Sequence, residues 1–145
     1  MNSNITEELQ HRVLVLDGAM GTMIQRHGLT ENDFRGERFA THPGVLKGCN
    51  DLLTLTRPDV IGAIHAEYLA AGADIIETDT FNANAISLGE YGLGSYVREI
   101  NLAGARLARE AVERHHRATG RRAYVAGSVG PSNVSLSLPG EAAGA

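Results

Sequence analysis

The chain has few of the residues that stabilise secreted proteins and none of the long apolar runs that cross membranes. Among its 145 residues there is a single cysteine, Cys49, so no disulfide can form within the chain, and we expect a reducing, cytoplasmic setting. No apolar run approaches the roughly 20 residues that span a bilayer, and the N-terminal residues carry no secretory signal pattern. A membrane protein and a secreted protein are therefore both disfavoured.

Basic clusters and the common nucleotide and zinc fingerprints are also missing. The formal net charge is −4, and the longest basic run is Arg121-Arg122, so the sequence offers no surface for nucleic acid or anionic lipid. There is no G-x-G-x-x-G motif, no Walker lysine and no H-E-x-x-H arrangement of histidines. We therefore expect neither nucleic acid nor a membrane as a partner, and the pattern predicts no metal site.

Three short apolar runs predict the strands of a sheet. Residues 13–16 form a continuous apolar run, which is typical of a strand buried on both faces. Residues 73–78 are a similar run that ends in polar residues, and residues 123–126 are another, followed by Gly127. Helical patterns separate the three runs, so the connections are βαβ units, which predict an α/β protein with a parallel sheet.

Two helices are predicted between these strands. The first has Thr56 as its N-cap and Pro58 in its first turn, and Gly72 is placed to end it. The second covers residues 97–112, with Gly120 beyond its end. Residues 28–56 show no sustained period, and we expect an ordered loop there.

The number of strands indicates a part of a larger architecture. A (β/α)8 TIM-type barrel typically needs about 250 residues, so residues 1–145 fit the incomplete N-terminal part of such a barrel, with only about the first three strands present. Residues 139–145 are loop-like and bring no third covering helix. A flavodoxin-like sheet is the competing architecture, but it would need five strands.

The residues that follow the strands are the candidates for chemistry, because ligands of parallel α/β folds bind at the carboxyl ends of strands. Asp17 follows the first run, and its carboxylate can pair with an ammonium group. The backbone N–H groups of Gly18 and Ala19 can receive a carboxylate. Together they suit the two charged ends of an α-amino acid. The alternative is that Asp17 only holds an Asp-Gly turn and that Glu77 faces solvent or an arginine of a loop.

Four segments in order resemble a known family. Residues 16–25, 48–53, 71–83 and 125–131 closely resemble the N-terminal homocysteine-binding module of the cobalamin-dependent methionine synthases, which belongs with the homocysteine S-methyltransferases. The resemblance covers nearly the whole chain. Segment 48–53 separates it from the betaine-dependent homocysteine methyltransferases, which share the barrel and the Asp-Gly pair.

The resemblance implies an activity and its cofactors. It implies transfer of a methyl group from methylcobalamin, regenerated from methyltetrahydrofolate, to the zinc-activated thiol of homocysteine, which gives methionine. The family's zinc ligands are three cysteines on later strands, which Cys49 does not match. We therefore expect this chain alone to bind neither zinc nor cobalamin, to contain no catalytic residue and to be inactive. The implied partners are homocysteine and downstream folate- and cobalamin-binding modules of the same polypeptide.

The resemblance also assigns roles at the strand ends. Asp17 would receive the amino group of homocysteine and the Gly18-Ala19 backbone its carboxylate, while Glu77 and Thr78 would line the same mouth. Two departures affect the outer rim: Asp79 stands where the family more often has Asn, and residues 132–134 replace a usual Thr-Asn-Arg. The alternatives are a homocysteine methyltransferase that uses betaine or S-methylmethionine, and an amino-acid-binding domain without catalysis.

Overall fold

The computed structural model describes residues 4–132, which form a small parallel sheet with helices packed against it. Strand β1 (Ile75–Glu77) pairs in parallel with β2 (Tyr124–Ala126). On the other side of β1, residues 13–16, here called the 13–16 segment, form a parallel bridge between Leu16 and Ile75. The order across the sheet is therefore the 13–16 segment, β1 and β2. This confirms the predicted parallel α/β arrangement, with shorter strands than the sequence indicated.

Seven α-helices occur among the described residues. They are α1 (Ile5–Leu9), α2 (Met20–Arg26), α3 (Glu31–Arg35), α4 (Leu53–Thr56), α5 (Pro58–Ala71), α6 (Ala85–Glu90) and α7 (Val97–Thr119), with short 3-10 helices at Asn50–Leu52 and Gly94–Tyr96. Within residues 4–132, no helix is both long enough and apolar enough to span a membrane.

The two long helices confirm the helix predictions except for one cap. Helix α5 has Pro58 in its first turn and ends at Gly72, whose φ of 108° is left-handed. Helix α7 runs past residue 112 and ends at Gly120, as its position predicted. Thr56 is not the N-cap of α5. It is the last residue of α4, which leaves Arg57 in the cap position.

The prediction of a loop over residues 28–56 is wrong in part, because short helices form there. Helix α3 begins with a capping box in which Thr30 and Asp33 bond each other's backbone. The Glu31 carboxylate then accepts the N–H groups of Leu46 (2.9 Å) and Lys47 (2.7 Å). The Glu31 contacts join residues 15 and 16 apart along the chain. Contacts of this kind have no periodic signature, which is why the sequence showed no pattern.

The prediction of a first strand buried on both faces is also wrong. In the 13–16 segment, Val13 is 85% exposed, Val15 56% and Leu16 50%. One edge of the segment pairs with β1, but nothing among residues 4–132 pairs with its other edge. An apolar run indicates that a segment can be buried between neighbours, but it does not show that the neighbours are present. Among residues 4–132, the 13–16 segment has a neighbouring strand on one edge only.

Helix α7 reaches the loop after β1 through a glycine. Gly104 lies on its buried stripe with Ala108 and Ala111. A Cβ atom at Gly104 would lie 2.7 Å from Cγ2 of Thr80, which is closer than side chains tolerate. The missing side chain thus lets α7 support the loop that follows β1.

Substitution of Gly104 should measure this contact. Gly104→Ala gains about 1 kcal/mol of helix propensity, but overpacking typically costs about 1–3 kcal/mol, so we expect a net loss of stability in denaturant unfolding. Thr80→Ser removes Cγ2 and should rescue Gly104→Ala. The control is Gly62→Ala in α5, where the nearest atom to the added Cβ is 3.7 Å away and we expect a gain. A stabilised Gly104→Ala variant would contradict the close approach.

Helix α5 buries a histidine that has no polar partner. His65 is 0% exposed, and neither ring nitrogen has a hydrogen-bond partner among the described residues. Burial lowers the pKa of His65 from 6.5 to about 4, because the charged imidazolium would lose its hydration. The ring is therefore neutral in the folded chain at neutral pH.

The buried ring predicts a pH dependence of stability. The unfolded chain takes up the His65 proton as pH falls below 6.5, and the folded chain does so only near 4, so stability is lost as pH falls through this window, by up to roughly 3 kcal/mol. His65→Leu should flatten the loss in thermal unfolding between these pH values. His11→Leu, at an exposed position, is the control and should leave the slope unchanged.

Candidate functional site

Asp17 and Glu77 meet where the 13–16 segment and β1 end. The backbone N–H of Asp17 donates to the carbonyl oxygen of Ile75 at 2.9 Å, which continues the pairing of the two strands. The Asp17 Oδ1 atom accepts the backbone N–H of Glu77 at 3.0 Å. Its other oxygen has no partner among residues 4–132. The predicted strand-end residues are thus adjacent, and one carboxylate oxygen of Asp17 is available to a ligand.

The surroundings of Asp17 raise the pKa of its carboxyl group. Burial, helped by the nearby Glu77 carboxylate and opposed by the Glu77 N–H, raises the pKa of Asp17 to about 6. At pH 7 a group with this pKa is about nine-tenths ionised. A cation beside the free oxygen would stabilise the ionised form, so the pair of carboxylates suits an ammonium group.

The turn after Asp17 holds its backbone in a costly conformation. Ala19 has a φ of 47°, the one left-handed residue other than glycine in the described chain. This conformation typically costs roughly 1–2 kcal/mol in a residue with a side chain. The N–H groups of Gly18 and Ala19 have no acceptor among the residues described. Two free donors in a strained turn are a suitable receptor for a carboxylate.

Thr78 is buried and its hydroxyl points to the loop after β2. The Thr78 Oγ1 atom accepts the N–H of Ser128 at 3.0 Å and lies 2.7 Å from Oγ1 of Thr80. Thr80 in turn donates to the carbonyl oxygen of Ser128 at 2.9 Å. Since Thr80 uses its proton there, Thr78 donates to Thr80. One lone pair of Thr78 remains, so its hydroxyl can offer a ligand only an acceptor.

The ties between the two strand-end loops were missed by sequence reasoning. Besides Thr80 and Ser128, the N–H of Gly130 donates to the carbonyl oxygen of Phe81 at 2.8 Å. A Cβ atom at Gly130 would lie 2.6 Å from that oxygen, so only glycine fits. The signals available were two threonines at a spacing of two and a glycine-rich strand end, and neither specifies which atoms pair.

Segment 48–53 holds the loop that follows β1. The Asp51 Oδ1 atom accepts the N–H of Asn82 at 2.9 Å, and its backbone carbonyl accepts the hydroxyl of Thr54 at 2.7 Å. Asp51 is 3% exposed. The segment that carries much of the sequence resemblance thus fixes the far end of the loop after β1.

The described residues do not fit a zinc ion. No group of three or more His, Cys, Asp or Glu side chains that could hold a metal occurs in residues 4–132. Cys49 is 3% exposed, and burial raises the pKa of its thiol to about 12. Thiols bind metals as thiolates, so the buried Cys49 thiol is a poor zinc ligand at neutral pH.

The donor set predicts the outcome of a metal assay. Zinc sites in proteins use about four ligands, so the purified 145-residue chain should contain no stoichiometric zinc after incubation with zinc and desalting. Elemental analysis measures this directly. One tightly held zinc per chain, lost in Cys49→Ser, would show that the ligands are here after all.

Comparison with known proteins identifies the family. Residues 14–144 match the profile of the homocysteine S-methyltransferases, and the chain belongs to this family. The structure of the homocysteine methyltransferase MmuM from Escherichia coli in its metallated form is similar, with a TM-score of 0.67 and 25% sequence identity over 86% of this chain and 40% of that one. The oxidized form of MmuM gives a TM-score of 0.66, with 26% identity over 85% and 39% of the two chains.

The chain matches only part of these relatives. The chain spans about 40% of the length of the MmuM structures that it matches. The methyl donor is not determined by the family. What the described residues contribute is one arrangement, in which the strand ends bring together Asp17, Glu77 and the Gly18-Ala19 turn.

Proposed function

We propose that this chain forms the amino-acid-binding edge of a homocysteine S-methyltransferase, with homocysteine as its substrate. The single observation that carries the proposal is the Asp17 carboxylate, which is held by the Glu77 N–H at 3.0 Å and keeps one oxygen without a partner. Membership of the family supplies the substrate class.

The two ends of the substrate would meet different parts of the turn. The ammonium group pairs with Asp17 and lies beside Glu77, where two carboxylates favour a cation. The substrate carboxylate receives the N–H groups of Gly18 and Ala19. Thr78 contributes its remaining lone pair as an acceptor. This arrangement fixes the amino-acid part and leaves the thiol for groups outside residues 4–132.

The architecture proposed for the whole protein is a (β/α)8 TIM-type barrel. The sheet order of 13–16 segment, β1 and β2 follows the chain order, as consecutive strands of such a barrel do. The exposed apolar side chains of the 13–16 segment fit a strand with a further neighbour on its open edge. Residues 1–145 would then be the first part of the barrel domain.

For the methyl donor we infer methylcobalamin, as in methionine synthases. The support is the sequence of segment 48–53, which resembles the methionine synthases and separates the chain from the betaine-dependent enzymes. Zinc, cobalamin and folate would be bound by later parts of the same polypeptide, and this chain alone would be inactive. The alternatives are betaine or S-methylmethionine as the donor. An amino-acid-binding domain without catalysis is the alternative outside enzymes.

Removal of the Asp17 charge tests the proposed site. In the complete barrel protein, Asp17→Asn keeps the size of the side chain but removes one partner of a charged pair, which typically costs about 2–5 kcal/mol. Homocysteine affinity measured by calorimetry should fall at least tenfold. Wild-type affinity should also fall as pH drops through about 6, where Asp17 takes up a proton, and Asp17→Asn should lack this dependence.

Controls separate binding from folding. Asp59→Asn removes an equal charge from an exposed carboxylate at the start of α5, paired with Arg57, and should leave homocysteine affinity unchanged. Zinc content and melting temperature of Asp17→Asn should stay near wild type. A stability loss with unchanged homocysteine affinity would mean that Asp17 only holds its turn.

A further inference from the structure

Two carboxyl groups are buried together behind the loop that follows β1. Asp51, in the 3-10 helix Asn50–Leu52, is 3% exposed, and Asp79, in the loop, is 6% exposed. They are close enough for the charge of Asp51 to act on the ionisation of Asp79. The site described above uses neither as a ligand-binding group.

The two carboxyl groups differ in their hydrogen bonds. Asp51 accepts the N–H of Asn82 at 2.9 Å. The Oδ2 atom of Asp79 is buried and has no hydrogen-bond partner in the described part of the chain. Neither group takes part in an ion pair among residues 4–132. A carboxylate in such a position would have neither a donor nor a counter-charge at that oxygen.

Within the described part of the chain, no positively charged group acts on the ionisation of either carboxyl group. The titratable neighbours are themselves acids: Cys49 interacts with both carboxyls, and Tyr91 at the end of α6 interacts with Asp51 and with Glu90. Helices α4 and α7 face the loop with Thr54 and Gly104, which are uncharged. A second negative charge here would therefore meet the charge of Asp51 and no counter-charge among residues 4–132.

Elementary electrostatics decides how such a pair ionises. A buried charge without a partner takes up or releases a proton in preference to remaining charged. Two adjacent carboxylates do not both ionise readily, so one keeps its proton. The Asn82 N–H stabilises a negative charge on Asp51, and Asp79 has no such donor at Oδ2. Burial accordingly raises the pKa of Asp79 well above its ordinary value.

We propose that Asp79 is a neutral carboxylic acid at neutral pH and acts as a positioning residue for the loop after β1. Thr78 and Thr80, on either side of it, bond to Ser128 on the β2 side. Asp51, whose charge acts on Asp79, holds Asn82 further along the same loop. Because Asp79 keeps its proton, the loop can make both the Ser128 contacts and the Asp51 contact without burying a second charge.

Ionisation of Asp79 would therefore loosen the loop, and the sign of the pH effect follows. Its folded-state pKa is raised above the unfolded value, so the contribution to stability is present at low pH and is lost as pH rises through the folded pKa. This is opposite to the effect of His65, which acts on the acid side. The inference does not depend on homocysteine binding, because the proton is held in the free protein.

Infrared spectroscopy of the 145-residue chain observes the proton directly. At neutral pH the wild-type chain should show the carbonyl band of one protonated carboxyl group, and Asp79→Asn should lack it. Glu110→Gln, which removes an exposed carboxyl from α7, is the matched control and should leave the band in place. A difference spectrum in which Asp79→Asn loses only carboxylate bands would overturn the proposal.

Thermal unfolding across pH provides the second readout. Asp79→Asn carries an uncharged group of the same shape, so it should melt close to wild type at acid pH and above it by an increasing margin as pH rises. Glu110→Gln should show no such divergence. An Asp79→Asn chain that fails to fold, or is less stable at every pH, would also overturn the proposal, since a neutral side chain would then be unable to replace Asp79.

Discussion

The hydrogen bond from the Glu77 N–H to the Asp17 carboxylate joins the ends of two neighbouring strands, and the candidate site depends on it. It holds one carboxylate oxygen of Asp17, and the other has no partner among residues 4–132. It also limits how far burial can raise the pKa of Asp17, which stays low enough for the group to be mainly ionised at neutral pH. Ala19, with its strained backbone, lies two residues after Asp17. The same hydrogen bond therefore helps to position the N–H groups of this turn.

The rest of the structure keeps the loop after β1 in place beside this contact. On one side, Thr78 and Thr80 bond the backbone of Ser128. On the other, Asp51 holds Asn82, and Gly104 allows α7 to approach Thr80 closely. These contacts come from segments up to about 50 residues apart, so the loop is defined by tertiary packing, with little contribution from local propensity.

Features that depend on local patterns and on chain order could be predicted from the sequence. The parallel order followed from the alternation of apolar runs and helical patterns, and the ends of α5 and α7 followed from Gly72 and Gly120. Adjacency of Asp17 and Glu77 follows from the same order. The exposure of the 13–16 segment did not, because burial depends on neighbours. The direction of the Thr78 hydroxyl and the protonation of Asp79 were equally out of reach, since both depend on atoms that only the folded chain brings near.

The central claim is that Asp17 is a desolvated carboxylate with one oxygen reserved for an ammonium group. Carbon-13 NMR titration of the Asp17 carboxyl in the whole protein proposed above, with and without homocysteine, tests it most directly. The account predicts a pKa of about 6 for the free protein and a clear fall when homocysteine is bound, because the ammonium stabilises the carboxylate. An ordinary aspartate pKa that homocysteine does not change would contradict it.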